Sequence, residues 1–376
     1  MAQPLRRTLS SVLKPILPKD NFWDEVCIRI KDGTVVPIIS NSVHGDRIFA
    51  PLFEKIFNDN NSSLTGYQTE PSRKHMVDEL VAEAWAEQIA YPLSDNFSLA
   101  RVAQYNRIKS ADEQQAKRDY LTFLKATLLA TSERADPESA PLVRRLRQHL
   151  NESSFSDLAA DLGLPDDVQP DADPLRLLAR LNLPIYITTS YYDFLERAIR
   201  AEGREPLTRI YGNLSNLRPE HRQERDFEPT AQTPVVYHLH GLESYPSSLV
   251  LSEDDYIDFL MRITQPIDTQ KPAIPLYLSA KLAESTLLLL GYRLQDWDFR
   301  ATFRGLIAAK EAPRRPFSVA IQLAPWEQLD VNNKDEAERY LTEYFKSVNF
   351  RVEWSNSTQF VRTLWANWNR WRQGSA

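Results

Sequence analysis

The sequence predicts an α/β protein with a Rossmann-like parallel sheet, helices on both faces and a large helical insertion. Short apolar runs bounded by turn residues recur along the chain, and segments of helical periodicity separate them. Runs of this kind are typical of strands that are buried on both faces of a parallel sheet. After the first such run, only helical periodicity is found for more than a hundred residues, which indicates an insertion.

Composition sets limits on the class of protein. The 376 residues carry a formal net charge of -6, with 42% hydrophobic and 26% charged residues, which is ordinary for a globular chain. No apolar run has the length of a membrane span or a signal peptide, so we expect a cytoplasmic protein. The acidic balance argues against direct nucleic-acid binding. The single cysteine, Cys27, excludes an internal disulfide and any zinc site built from cysteine pairs.

Glycine usage excludes two common nucleotide-binding motifs. The chain has ten glycines, and no two lie close together. The dinucleotide fingerprint G-x-G-x-x-G and the Walker A loop are therefore absent. Ordinary P-loop hydrolases and standard dehydrogenases are excluded, and any phosphate must be held in another way.

The elements follow from periodicity and from turn residues. The first strand is expected at 34–39 (TVVPII), followed by the loop SNSVHGD and by helices at 75–90, 120–129 and 142–150. A segment rich in Pro and Asp, 164–174, ends in Asp173-Pro174, a cap residue before a proline at the first helical position. Beyond it, strands are predicted at 183–189, 235–239, 249–251, 285–290, 317–323 and 350–354. Helices are predicted at 191–202, 253–263, 297–310, 336–345 and 357–372, with Ser252 and Asp255 resembling a capping box.

These elements suggest four regions. Residues 1–46 hold the N-terminal segment and the first strand of the core, and residues 47–170 form the helical insertion, which we expect over the ligand site. Residues 171–330 complete the core, and residues 331–376 form a helix-strand-helix extension that packs on it. The last helix carries an apolar stripe that favours core packing or a subunit interface, and the two are compatible: Phe360, Leu364, Trp365, Trp368 and Trp371.

Polar residues cluster where predicted strands end. Ligands of doubly wound sheets bind beyond the carboxyl ends of the strands, so these junctions are the candidate site. The four junctions cover 40–44, 188–193, 238–241 and 291–298.

In this order, the four junctions resemble the sirtuin-like NAD-binding fold in its prokaryotic anti-phage branch. The resemblance lies in ITTSYYDFLE (187–196), HLHG (238–241) with SLVLSEDDY (248–256), and LLGYRLQDWDFRATFR (289–304). It implies hydrolysis of NAD+, as substrate, to nicotinamide and ADP-ribose, which depletes the cofactor in infected cells. Protein deacylation is excluded with the zinc ribbon, which one cysteine cannot build.

The chain also departs from the family pattern. Ser40-Asn41-Ser42 stands in place of the glycine loop, Ser190 in place of the family's Asn, and Tyr192 in place of the Asp that follows it. These substitutions leave open a second hypothesis, a catalytically degenerate scaffold subunit that senses NAD or ADP-ribose. The retained His240-Gly241 favours the enzyme.

Three residues are candidates for the chemistry. His240 is the candidate general base, because imidazole titrates near neutral pH; a structural strand-end histidine is the alternative. We expect it at the mouth of the crevice, partly exposed. Ser190 stands where the family positions water, or it caps a turn. Asp193 orients the ribose or His240, or it starts the following helix.

The remaining candidates would bind the substrate. Backbone N–H groups near Asn41 and Ser42 could hold the pyrophosphate if a helix begins there, and Arg293 could supply a positive charge. The full set is Ser40, Asn41, Ser42, Thr188, Thr189, Gly241, Gly291, Tyr292 and Arg293. His238 is expected on the same side of its strand as His240, but no second ligand pair accompanies them, and we expect no metal.

The region after Pro316 bears on the partners. It resembles the corresponding part of sirtuin-like proteins that are paired with HerA-type hexameric translocases. The resemblance implies a homo-oligomer joined to an ATPase ring, without a membrane partner.

Overall fold

The computed structural model describes residues 21–59, 77–110, 112–165, 173–212, 228–264, 274–292, 318–322, 334–346 and 349–374. The strands are β1 (Val35–Ile39), β2 (Ile185–Thr188), β3 (Leu207–Ile210), β4 (Val235–His238), β5 (Thr286–Leu290), β6 (Ser318–Gln322) and β7 (Phe350–Trp354). The helices before β2 are α1 (Phe22–Lys31), α2 (Asn41–Asp59), α3 (Val77–Gln88), α4 (Leu99–Lys109), α5 (Glu113–Ala135), α6 (Ala140–Gln148), α7 (Phe155–Asp161) and α8 (Pro174–Arg180). Those after β2 are α9 (Phe194–Ala201), α10 (Glu253–Thr264), α11 (Leu276–Glu284), α12 (Lys334–Lys346) and α13 (Ser357–Gly374).

The seven strands form one sheet in the order β3-β4-β2-β1-β5-β6-β7. Every pair of neighbours in this order is parallel. Residues along β1 alternate between two apolar clusters, with Val35 and Ile39 in one and Val36 and Ile38 in the other. The predicted Rossmann-like sheet with helices on both faces is therefore confirmed.

The two faces differ in the helices that cover them. The larger cluster joins the sheet to α1, α2, α8, α9 and α13, together with the helices between α2 and α8. The smaller cluster joins it to α10, α11 and α12 through residues such as Phe259, Leu278 and Phe345. The chain thus crosses one face between β1 and β2 and the other between β4 and β5.

The segment after β1 leaves the sheet and returns beside it. Strands β1 and β2 pair in parallel, with Ile38 opposite Ile187, although the helices α2 to α8 separate them in sequence. The two predicted caps are present. At the start of α8, the Asp173 Oδ1 accepts from the N–H of Leu175 at 2.9 Å, and at the start of α10, Ser252 and Asp255 bond reciprocally. The boundaries of the four regions stay predictions.

Several predicted elements need correction. Residues 249–251 are not a strand but follow a short 3-10 helix, Pro246–Ser248. Helix α2 begins at Asn41 rather than after Asp46, because Val43 already packs into the core. Elements α1, α4, α7, β3 and α11 were not predicted individually, and the helix predicted at 297–310 lies outside the described residues. Within the described ranges, no helix combines the length and apolar character that crossing a bilayer requires.

Helix α13 packs through its apolar stripe. Phe360, Leu364 and Trp368 are buried in the larger cluster, while Trp365 and Trp371 are partly buried against it. Its neighbours are α8 and α1. The stripe therefore packs on the core, which was one of the two interpretations of this helix; a subunit interface was the other.

Candidate functional site

The candidate site lies where the chain switches faces of the sheet. Strand β1 lies between β2 and β5, and the helices that lead into these two neighbours, α8 and α11, lie on opposite faces of the sheet. Such a switch point opens a crevice at the carboxyl ends of the strands, where ligands of this fold class bind. Helix α2 starts directly after β1, so its first N–H groups lie at this edge, as the sequence reasoning required for anion binding.

Ser40 and Ser42 close the junction between β1 and β5. Their hydroxyls lie 2.6 Å apart, and both donate to the carbonyl oxygen of Gly291, at 2.8 and 2.7 Å. Gly291 has a φ of +79°, and a Cβ added there would lie 2.4 Å from Val43 Cγ2 and 2.5 Å from Ser40 Oγ. The structure thus brings these three predicted residues together in a tightly packed contact.

This packing predicts unequal effects of two glycine substitutions. Gly203 has a similar φ of +75° but nothing within 4 Å of an added Cβ, so Gly203→Ala should cost only the backbone strain, about 1–2 kcal/mol. Gly291→Ala adds overpacking of about 1–3 kcal/mol. Urea unfolding of the two variants measures the difference. Equal losses of unfolding free energy in the two variants would show that the residues around Gly291 move to accommodate the added Cβ without a measurable loss of stability.

Asn41 connects this junction to the loop after β2. Its Nδ2 donates to the hydroxyl of Tyr191 at 3.3 Å, and that hydroxyl lies 2.8 Å from the hydroxyl of Tyr120 on α5. The Asn41 Oδ1 is buried and has no hydrogen-bond partner among the described residues. The insertion therefore reaches two of the predicted strand-end loops through one tyrosine.

The loop after β2 is held by its own hydroxyls. Thr188 Oγ1 donates to the carbonyl of Ile39 at 3.0 Å and accepts from the N–H of Ser190 at 2.9 Å. Ser190 Oγ accepts from the N–H of Tyr192 at 3.1 Å. In this structure the hydroxyl therefore caps a turn, which was the alternative to the role of positioning a water. The Thr189 Oγ1 lies 3.2 Å from the Tyr292 hydroxyl, which joins the loops after β2 and β5.

Asp193 occupies the N-cap position of α9 but makes no capping bond. Its Oδ1 accepts from Arg197 Nε at 2.7 Å, and Arg197 also binds Asp157 at 2.6 Å. Asp193 thus helps to tie α7 of the insertion to α9. No contact places it at His240.

His240 is buried rather than at an open mouth, which corrects the expectation. It is 2% exposed, and its ring meets the edges of Tyr256 and Phe259 of α10 at centroid distances of 5.3 and 5.0 Å. Burial lowers its pKa to about 3, so the imidazole is neutral at neutral pH. Its Nε2 is buried without a hydrogen-bond partner in the described part of the chain. Gly241, next in sequence, has a φ of +86° and packs against the backbone of Ser248.

His238 does not lie beside His240. It contacts α9, with Nε2 2.8 Å from Glu196 Oε1 and Nδ1 2.7 Å from the carbonyl of Ser190. Strand β4 ends at His238 and residues 239–240 form a turn, so the side chains no longer alternate as they would along a strand. Among the described residues, no three His, Cys, Asp or Glu are placed to hold a metal ion.

His238 and Glu196 form a completely buried ion pair. Glu196 Oε1 also accepts from Thr208 Oγ1 at 2.8 Å. Burial opposes charge on both groups, but the partner charge prevails: the pKa of His238 is raised and that of Glu196 is lowered. The pair is therefore charged near neutral pH.

Two further buried groups near the edge were missed. His44, at 0% exposure, stacks on Phe194 at 6.2 Å, and its two ring nitrogens have no partner in the part of the chain described. Glu243 accepts from the first N–H groups of α7, at Phe155 (2.7 Å) and Ser156 (3.5 Å). Glu243 follows His240 by three residues, and this proximity was the signal available in the sequence.

The buried groups predict how stability depends on pH. The pKa of His240 falls from 6.5 to about 3 on folding, so the unfolded chain binds the extra proton between these values. Stability is then lost as pH falls below about 6.5. His240→Phe should remove this loss. Its free energy of unfolding should rise relative to that of the parent by about 1 kcal/mol for each pH unit between pH 6.5 and pH 4.

Glu243 provides the contrasting variant. Burial raises its pKa from 4.5 to about 7, so its contribution is lost as pH rises from 4.5 through 7. The free energy of unfolding of Glu243→Gln should therefore rise relative to that of the parent as pH rises, whereas that of His240→Phe should rise relative to the parent as pH falls. Urea unfolding between pH 4 and 8 measures both slopes, and parallel curves for all three proteins would contradict the assignment.

Comparisons with known proteins match the part of the chain that carries these loops. Residues 184–351 match the family described as SIR2-like domain, a range that runs from the start of β2 into β7. The NAD(+) hydrolase ThsA of Acinetobacter baumannii (strain 532279) is 28% identical over 122 residues, 32% of this chain and 21% of that protein. The NAD(+) hydrolase ThsA of Bacillus cereus (strain MSX-D12) is 28% identical over 121 residues, 32% of this chain and 22% of that protein.

The matched segment spans about a fifth of the length of these curated relatives. The family range 184–351 contains Ser190, His240, Gly241, Gly291 and Tyr292, whereas Ser40, Asn41 and Ser42 precede it. Arg293 lies inside that range but outside the described residues. Residues 184–351 are therefore similar to the SIR2-like domain family, and the parallel sheet has the Rossmann-like architecture that the sequence predicts.

Proposed function

We propose that the protein is an NAD+ glycohydrolase that releases nicotinamide and ADP-ribose. The observation that carries the proposal is a neutral, unpartnered imidazole nitrogen of His240 at the carboxyl edge of a SIR2-like domain. The two ThsA relatives, which bear the name NAD(+) hydrolase, support it. The proposed role of the reaction is anti-phage defence through loss of NAD+.

The reaction needs few groups. The bond between the nicotinamide nitrogen and the ribose C1′ breaks, and its electron pair leaves with nicotinamide. A water oxygen bonds to C1′ and gives up a proton. The proposed acceptor is neutral His240, whose pKa of about 3 in the buried state is expected to rise when opening of the site hydrates the ring. The first turn of α2, at Asn41 and Ser42, is the proposed site for the pyrophosphate.

The structure described corresponds to a closed site. His240 is 2% exposed, and Ser40, Ser42 and Gly291 are in direct contact. NAD+ can reach His240 only if some of these groups move. We therefore propose that turnover is low until oligomerisation or a partner opens the site.

The proposed assembly is a homo-oligomer joined to a HerA-type hexameric ATPase. The resemblance of the C-terminal region supports this assembly. Trp365 and Trp371 of α13 are only partly buried, and their exposed parts are the proposed contact with another subunit. Light scattering of the purified protein, alone and mixed with an ATPase encoded beside it, tests this assembly.

A scaffold that senses NAD or ADP-ribose is the second candidate. The hydroxyls of Ser40 and Ser42 occupy the place where a glycine loop would admit the nucleotide closely, and this contact favours it. The two candidates separate in one experiment, which follows NAD+ by chromatography and its binding by calorimetry. Binding without nicotinamide release, alone and with the ATPase, would favour the scaffold.

A further inference from the structure

The first turn of α10 is held by cations from the insertion. Arg101 of α4 binds Glu253 at 3.2 Å, Arg107 of α4 binds Asp254, and Lys117 of α5 binds Asp255 at 2.8 Å. The first two pairs are exposed, whereas the side chains of Lys117 and Asp255 are 6% and 12% exposed. Exposed pairs contribute little to stability, so among these three ion pairs the contact between Lys117 and Asp255 is the one that can fix the start of α10.

Asp255 connects Lys117 to the backbone before α10. Its Oδ1 accepts from Lys117 Nζ, and its Oδ2 accepts from the N–H groups of Leu251 and Ser252, at 3.1 and 2.9 Å. Lys117 also lies 3.1 Å from the exposed carboxylate of Glu113. The carboxylate of Asp255 thus contacts both the start of α10 and the backbone segment that precedes it.

Both the segment before α10 and α10 itself contact His240. The N–H of Val250, one residue before Leu251, donates to the carbonyl oxygen of His240 at 3.1 Å. Tyr256, one residue after Asp255, and Phe259 contact the His240 ring. A shift of Asp255 would therefore move the backbone contact and the ring contacts of His240 together.

We propose that Lys117, on the helical insertion, is a positioning residue for His240 in the reaction. The inference rests on the proposed function, because His240 is the general base only if NAD+ is hydrolysed. Lys117 acts through Asp255 and α10 and does not touch the reacting atoms. The insertion is then a part of the catalytic unit and not only a cover over it.

The test replaces Lys117 by methionine, which keeps the length of the side chain and removes its charge. We expect kcat for NAD+ to fall about 10- to 100-fold with KM within about threefold, since misplacement of a reacting group lowers the rate of the chemical step. Lys117→Arg should keep most of the parent kcat, because it retains the positive charge beside Asp255, next to a small pocket lined by Trp85, Arg107 and Lys117. Arg107→Met, which breaks the neighbouring exposed pair, is the matched control and should keep the parent kcat.

Lys117→Met leaves Asp255 without its buried partner and could unfold the protein. The double variant Lys117→Met/Asp255→Asn removes both charges and keeps an oxygen to accept from Leu251 and Ser252. It should fold and still show the loss of kcat. Parent-like kcat in the folded double variant would overturn the proposal, and so would a loss of activity that only matches the loss of folded protein.

Hydrogen exchange provides a readout that does not need turnover. The amide of Val250, bonded to His240, should exchange at least tenfold faster in the folded double variant than in the parent or in Arg107→Met. If the parent hydrolyses no NAD+ but this exchange rises, the proposed function fails and the connection from Lys117 through Asp255 to His240 stands. Unchanged exchange at Val250 overturns the inference, whether or not NAD+ is consumed.

Discussion

Replacing His240 with phenylalanine is expected to lower NAD+ turnover about 100- to 10,000-fold, the usual loss for a general base. The structure favours phenylalanine over alanine for this test. The ring is 2% exposed against Tyr256 and Phe259, so alanine would leave a cavity and confuse instability with lost chemistry. Phenylalanine keeps an aromatic ring among aromatic neighbours and removes the nitrogens.

Turnover is measured with the melting curve and the oligomer size of the same samples. His240→Leu is a second apolar variant in case the larger ring does not fit. His149→Phe, at a side chain 58% exposed on the insertion, is the matched control and should keep parent turnover. Parent-like hydrolysis in a folded His240 variant would show that another group accepts the proton. Unfolding of both variants would make His240 a structural histidine.

Replacing His238 with alanine is expected to destabilise the protein by about 3–5 kcal/mol, the cost of leaving a buried charge without its partner. Both His238 and Glu196 have side chains at 0% exposure, 2.8 Å apart. After the substitution, Glu196 keeps only the hydroxyl of Thr208. The midpoint of urea unfolding at pH 7 measures the loss.

The double variant His238→Gln/Glu196→Gln is the control for this prediction. It removes both charges and keeps amide groups near Thr208 and Ser190, so it should be clearly more stable than His238→Ala. If His238→Ala unfolds at the parent's urea concentration, the charged pair is not what stabilises this face of β4. NAD+ turnover in the folded double variant should stay within about tenfold of the parent, because neither residue contacts His240.

The strands that were predicted correctly share one property. Residues such as Val36 and Leu288 belong to apolar runs that are buried on both faces, and such runs are visible in sequence. Strand β3, LTRI, escaped because it is a four-residue edge strand that contains Arg209. Helix α2 starts inside SNSVHGD, whose residues favour turns, because packing of Val43 overrides local preference.

The location of the candidate site could be predicted from the sequence, but most of its side-chain contacts could not. The carboxyl ends of parallel strands had to lie at one edge, and the contacts of Ser40 and Ser42 with Gly291 confirm that these junctions meet. The separation of His238 from His240 depends on where β4 ends, which periodicity does not define to within one residue. The burial of His240 and its connection to Lys117 depend on α10 and α5, and local sequence carries no signal for such distant contacts.

The central proposal is that this protein hydrolyses NAD+ at His240. The most direct measurement is chromatography of NAD+, nicotinamide and ADP-ribose after incubation with the parent and with His240→Phe, each alone and with a HerA-type ATPase, the proposed partner. The account predicts equal amounts of nicotinamide and ADP-ribose from the parent, in at least one of these mixtures, and almost none from the variant. Intact NAD+ in every parent mixture, or equal product from the variant, would contradict it.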